Sequence, residues 1–83
     1  MPYITMERRR ILDSKLLQVL PESAGELNYV LTRTAIDYLR LKGESYQSYN
    51  DIIGALEGCK LELYRRKVGV YESKKAEING DVY

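Results

Sequence analysis

The sequence contains no histidine. The commonest general base near neutral pH is therefore missing, and neither a Ser-His-Asp nor a Cys-His arrangement can be built. The single cysteine, Cys59, has no partner for a disulfide within the chain and cannot supply a structural zinc site. No G-x-x-x-x-G-K-S/T or G-x-G-x-x-G loop occurs, which excludes nucleotide hydrolysis and dinucleotide redox chemistry by those routes. No apolar run approaches the ~20 residues of a membrane span, and the basic start MPYITMERRR leads into no signal-peptide core. With a lone cysteine suited to a reducing compartment, these absences lead us to expect a cytoplasmic protein with no membrane partner. They also lead us to expect a chain that is not an enzyme and has no cofactor and no metal.

Charge is equally uninformative in sum. Thirteen basic and twelve acidic residues leave a net +1, too little for a polyanion-coating role. Its distribution is uneven. Residues 44–59 carry Glu44, Asp51 and Glu57 and no basic residue, whereas residues 60–83 carry six basic residues against four acidic ones.

Eighty-three residues suggest one helical domain spanning 1–83. A chain this short buries only roughly 60% of its unfolded surface, and small folds are usually reinforced by disulfides, a metal or oligomerisation. Composition excludes the first two here, so self-association is the expected device.

Proline occurs only at positions 2 and 21, and no strand pattern is present. The fold class is accordingly all-α: a small three-helix protein with helices at about 6–20, 24–42 and 49–77, packed as a homo-oligomeric helical bundle. Thr5 and Glu7 suit the start of the first helix, whose apolar set is Ile11, Leu12, Leu16, Leu17, Val19 and Leu20; Pro21 stops it. Asp13 and Ser14 leave open a split of this segment into two pieces. Ser23 and Glu26 form a capping box for the second helix, and Gly43 fits its C-terminal cap.

Residues 44–48 read as a loop, with Ser48 and Asp51 repeating the capping pattern. Tyr49, Ile52, Ile53, Leu56, Cys59, Leu63, Arg66 and Val70 then follow at steps of three and four, marking one face of a helix that runs to Asn79-Gly80. At about 43 Å, a helix over 49–77 is longer than a compact domain of this size is wide. Part of it must project or pack on another subunit. On this face Cys59 is expected to be buried and to behave as a small apolar residue.

Gly54 and Gly58 interrupt an otherwise strong helix. A small-x-x-x-small face lets two backbones approach, either between helices of one subunit or between subunits. Gly69 marks a bend or a close contact. Gly54, Gly58, Leu63 and Val70 are the candidate oligomer contacts.

Polar chemistry concentrates on the same helix. Tyr64, Lys67 and Tyr71 line up at steps of three and four, and Arg65 and Arg66 lie between them. An arginine on an apolar face needs a partner. The choices are a carboxylate (Asp37, Glu57 or Glu62) or a ligand phosphate, which a guanidinium binds bidentately while tyrosine rings stack on bases. Tyr49, Asn50, Tyr64, Arg65 and Arg66 form the candidate ligand-binding set. Glu57 and Glu62, five apart, share a face poorly for joint magnesium binding and read as exposed or ion-paired. Arg8, Arg9 and Arg10 read as a solvated helix end or as a contact for nucleic acid or an acidic partner. Asn28 and Thr32 share the polar face of the second helix.

The strings GELNY (25–29), SYQSYNDIIGALEGCKLELYRRKV (45–68), YESKK (71–75) and NGDVY (79–83) resemble a group of short proteins from phage genomes, prophages and environmental sequences. The resemblance covers about two thirds of the chain and assigns no residue a role. It implies a phage-type accessory protein in a host cytosol, of the kind that blocks host defences. Such a protein either binds a host protein or sequesters a nucleotide signal at an inter-subunit site. The expected function is therefore non-enzymatic counter-defence binding of a phosphate-bearing ligand by a homo-oligomer. A protein–protein inhibitor or assembly factor using the long helix, and a small nucleic-acid-binding protein, are the alternatives.

Overall fold

The computed structural model describes residues 4–16 and 20–83. Every regular element among them is helical: α1 (Met6–Leu16), α2 (Ala24–Lys42), α3 (Tyr46–Leu63), a π-helical turn (Tyr64–Val68) and α4 (Gly69–Asn79). The chain divides into two units, Pro2–Tyr49 and Asn50–Tyr83.

In the first unit, Thr5 starts α1 as expected: its Oγ1 accepts the Arg8 N–H at 3.1 Å, and Glu7 lies in the first turn. The described part of this helix runs to Leu16; Leu17 and Val19 of the expected apolar set lie outside the described residues, and Leu20, the expected last residue, is not helical. Ser14 bonds back to the Ile11 carbonyl at 2.7 Å, a competition with the helix ladder that weakens a C-terminal turn.

Helix α2 has the expected bounds. Ser23 Oγ accepts the Glu26 N–H at 3.1 Å. The Glu26 carboxylate takes the Glu22 N–H at 3.1 Å, one residue earlier than a strict capping box would place it. At the other end Gly43 adopts φ 83°, and its N–H bonds the Leu39 carbonyl at 2.7 Å. A side chain would be strained there.

Helix α3 begins at Tyr46, three residues before the expected start, because Ser45 and not Ser48 caps it. Ser45 Oγ accepts the Ser48 N–H at 3.1 Å. The Ser48 hydroxyl, 4% exposed, donates to the Gly43 carbonyl at 2.8 Å. That second bond decides between the two overlapping capping patterns. It satisfies a carbonyl at the end of α2 while the first satisfies an amide at the start of α3.

The second unit is one helix and its tail. It runs through the π turn without a break, Leu63, Val68 and Gly69 all holding right-handed helical dihedrals. It ends at Asn79, where Gly80 (φ 86°) caps the Ala76 carbonyl at 2.8 Å, the expected stop two residues later than 77. The π turn was not anticipated. The Gly69 N–H bonds the Tyr64 carbonyl, five residues back, and a Cβ on Gly69 would stand 3.3 Å from that oxygen. Gly69 thus marks a close contact and not a bend.

A π turn is an α-helix with one residue inserted, which rotates all that follows by about 100°. Arg66 and Val70 therefore do not continue the line of Ile52, Leu56, Cys59 and Leu63, contrary to the unbroken 3.6-residue reading. Tyr71 and Ile78 take up that line instead.

No hydrophobic side chain is buried among the described residues; Ser48 alone is. Ile53, Leu56 and Leu63 are 66%, 42% and 57% exposed. Cys59 is exposed too, where burial was expected, because within its unit no second helix lies against α3. Burying one such Leu or Ile side chain is worth about 1.5–3 kcal/mol, and a helix within a protein draws most of its stability from such packing.

Candidate functional site

The polar cluster forms where α3 passes into the π turn. Glu62 occupies the last turn of α3, and the next residues, Arg65 and Arg66, stand three and four positions on, the spacing at which helical neighbours meet. Arg65 Nη2 contacts both oxygens of the Glu62 carboxylate, at 2.8 and 3.1 Å. Arg66 Nε donates to Oε1 at 2.8 Å. Two guanidiniums thus share one carboxylate. The Arg66 hydrogen bond, the largest cause, lowers the Glu62 carboxyl from 4.5 to about 2; burial opposes it, and the Arg65 hydrogen bond and charge add to the lowering. Of the three acidic partners the sequence offers these arginines, Glu62 is the one in place. Asp37 pairs with Arg33 at 3.4 Å and Arg40 at 4.0 Å, and Glu57 with Lys60 at 3.2 Å.

The arginines remain open despite this pairing. Their side chains are 68% and 67% exposed, against 30% for Glu62. A guanidinium carries five N–H donors, so the edges not turned to Glu62 stay available to an anion. Glu62 fixes the two planes, and the cluster with Lys67 retains a positive excess that can receive a phosphate or carboxylate.

The π turn also sets the partner of Tyr64. Its phenol donates to Glu72 Oε1 at 2.8 Å, a separation of eight residues. Two plain α-turns would align residues seven apart; the inserted residue makes it eight. This hydrogen bond to Glu72, and then the Glu72 charge, raise the Tyr64 phenol above its ordinary value. Sequence reasoning missed the role of Glu72, since nothing in an unbroken helical register pairs it with Tyr64. The expected Tyr64–Lys67–Tyr71 line is broken for the same reason. Tyr71 is instead covered by Lys75, whose Nζ lies 5.7 Å from the ring centroid.

The other candidates lie elsewhere. Asn50 is exposed on α3, about 21 Å along the helix axis from Tyr64, so a single Asn50–Tyr83 unit does not bring it to the arginines. Tyr49 donates to Glu44 Oε1 at 2.9 Å, and this bond and the Glu44 charge raise its phenol. Among the described residues, a Cβ built on Gly54 or Gly58 meets nothing within 4 Å. Thr32 Oγ1 reaches Asn28 Oδ1 at 3.4 Å on the polar side of α2. Among the described residues no three His, Cys, Asp or Glu side chains converge as metal ligands, and no helix is long and apolar enough to cross a membrane.

A protein-family model, "Domain of unknown function (DUF6899)", matches residues 1–82. The chain belongs to that family. No curated protein and no solved structure matches it.

Proposed function

We propose that this chain is a non-enzymatic binding protein that self-associates through its long helix and holds a phosphate-bearing small ligand on Arg65 and Arg66. The observation that carries the ligand reading is the pairing of two adjacent guanidiniums on one carboxylate while both stay two-thirds exposed. Glu62 orients the pair and leaves donors facing outward, which suits an anion with several oxygens. Tyr64, fixed by Glu72 beside them, offers a ring for a base to stack on. Self-association draws its support from the uncovered apolar residues of α3. The setting implied by the phage-type resemblance, sequestration of a nucleotide immune signal in a host cytosol, belongs to the same proposal.

The test is thermal stabilisation by a panel of cyclic dinucleotides and ADP-ribose derivatives, with pyrophosphate as the simplest probe. A bound nucleotide at 100 times its Kd adds about 2.7 kcal/mol, a shift of several degrees or more for a chain of this size. The Arg65→Ala/Arg66→Ala protein should keep its helicity and lose the shift. A melting temperature unmoved by every probe would overturn the ligand reading.

The same uncovered stripe favours a second reading, a protein–protein inhibitor that docks a host protein along α3. It predicts a defined complex in a pull-down, and recovery of the chain alone counts against it.

A further inference from the structure

Within α3, Ile52, Leu56, Cys59 and Leu63 follow one another at steps of four, three and four. That is the a/d spacing of a two-helix seam. Leu56, Cys59 and Leu63 are exposed and Ile52 is half-buried, so the seam is uncovered. Gly54 and Gly58 fall on roughly the opposite side of the helix, a consequence of the 100° step per residue. The apolar line and the small-residue line are therefore separate surfaces, and only the first has side chains to bury.

Charge along the helix selects a direction. From Asn50 to Cys59 the only charged residues are Asp51 and Glu57. From Lys60 to Asn79 there are six basic residues against three acidic ones. Two copies laid parallel would set the basic half on the basic half, and would place Lys67 beside Lys67 just where the π turn brings this residue near the seam. Two copies laid antiparallel set the acidic half of one against the basic half of the other.

We propose that the Ile52–Leu56–Cys59–Leu63 seam is the interface between two copies of this chain, paired antiparallel. The midpoint of the seam lies between Glu57 and Gly58, which pairs Ile52 with Leu63 and Leu56 with Cys59 of the partner copy. The same register lays Tyr64, Arg65 and Arg66 within a turn of the partner's Asp51. The arginine cluster thus sits at the edge of the interface, twice per dimer, and its outward donors remain accessible. This arrangement rests on the self-association proposed above and adds its surface, its direction and its register.

The experiment uses the full chain with Cys59→Ala and a nitroxide spin label at one introduced cysteine, Leu61→Cys or Lys74→Cys, both exposed positions. Dipolar distances between the two labels of a dimer are then compared. In an antiparallel pair the axial separation grows by about 3 Å for each residue away from the crossing point, twice the helical rise. The label at 61 should therefore report a short distance and the label at 74 about 50 Å. Equal short distances at both positions would mean parallel pairing and would overturn this inference while self-association stood. An absence of any dipolar signal at concentrations where the protein is folded would overturn both.

Discussion

Replacing Gly54 and Gly58 together by alanine tests which side of α3 is used. Both glycines lie inside the helix with ordinary negative φ, and among the described residues a Cβ at either meets nothing within 4 Å. Each replacement then removes only the entropic cost of glycine, about 1 kcal/mol in a helix interior. The double variant should gain about 2 kcal/mol, the sum of two independent single changes. For a domain of this size that is a rise of roughly 8–16 °C in melting temperature, measured by circular dichroism at fixed protein concentration. Its mass in sedimentation should equal that of the unaltered chain, because the proposed seam runs along the other side. A lowered melting temperature, or a smaller particle, would show the opposite: the glycines would then be the place where another helix comes close, and the methyl groups would be holding it off.

Other outcomes follow from single bonds. Ser48→Ala removes the hydroxyl that satisfies the Gly43 carbonyl and should cost about 1 kcal/mol in urea unfolding, whereas the exposed Ser45 cap should cost a similar amount through the start of α3 alone. Glu62 is held below the ordinary carboxylate range, so its contribution to stability is present above pH 4.5 and is lost as pH falls towards 2. Acid unfolding of Glu62→Gln, compared with the native chain, should lose its dependence across that window. Tyr64 and Tyr49 are both raised, so their contributions hold below the usual tyrosine range and fade as pH climbs through the folded values. Ultraviolet titration of Tyr64→Phe should lack one late-ionising phenol. Leu56→Glu, with a charge on the seam, should leave a smaller particle than the native chain.

Much of the helical layout is legible in the sequence, and the exceptions have local causes. Ser23, Gly43 and Gly80 act where their residue types predict, because capping depends on neighbours a few positions away. The start of α3 was misplaced because Ser45-x-x-Ser48 and Ser48-x-x-Asp51 are both valid caps, and the choice turns on a bond from Ser48 to the Gly43 carbonyl. The π turn leaves no pattern in the residues other than Gly69, so the expected face drifted onto Arg66 and Val70. The pairing of Arg65 and Arg66 with Glu62 follows from spacing and could be read as one of three choices. The Tyr64–Glu72 bond could not, since it exists only once a residue has been inserted. Tyr49 and Asn50 share only residue type with the arginine cluster: Tyr49 bonds Glu44, and Asn50 stands about 21 Å along the helix axis from Tyr64.

Sedimentation equilibrium across a range of concentrations tests self-association most directly. A self-associating chain gives a particle of at least twice the 9.6 kDa chain mass that dissociates on dilution with loss of helical signal. A 9.6 kDa particle that stays fully helical and unfolds cooperatively at every concentration would contradict it.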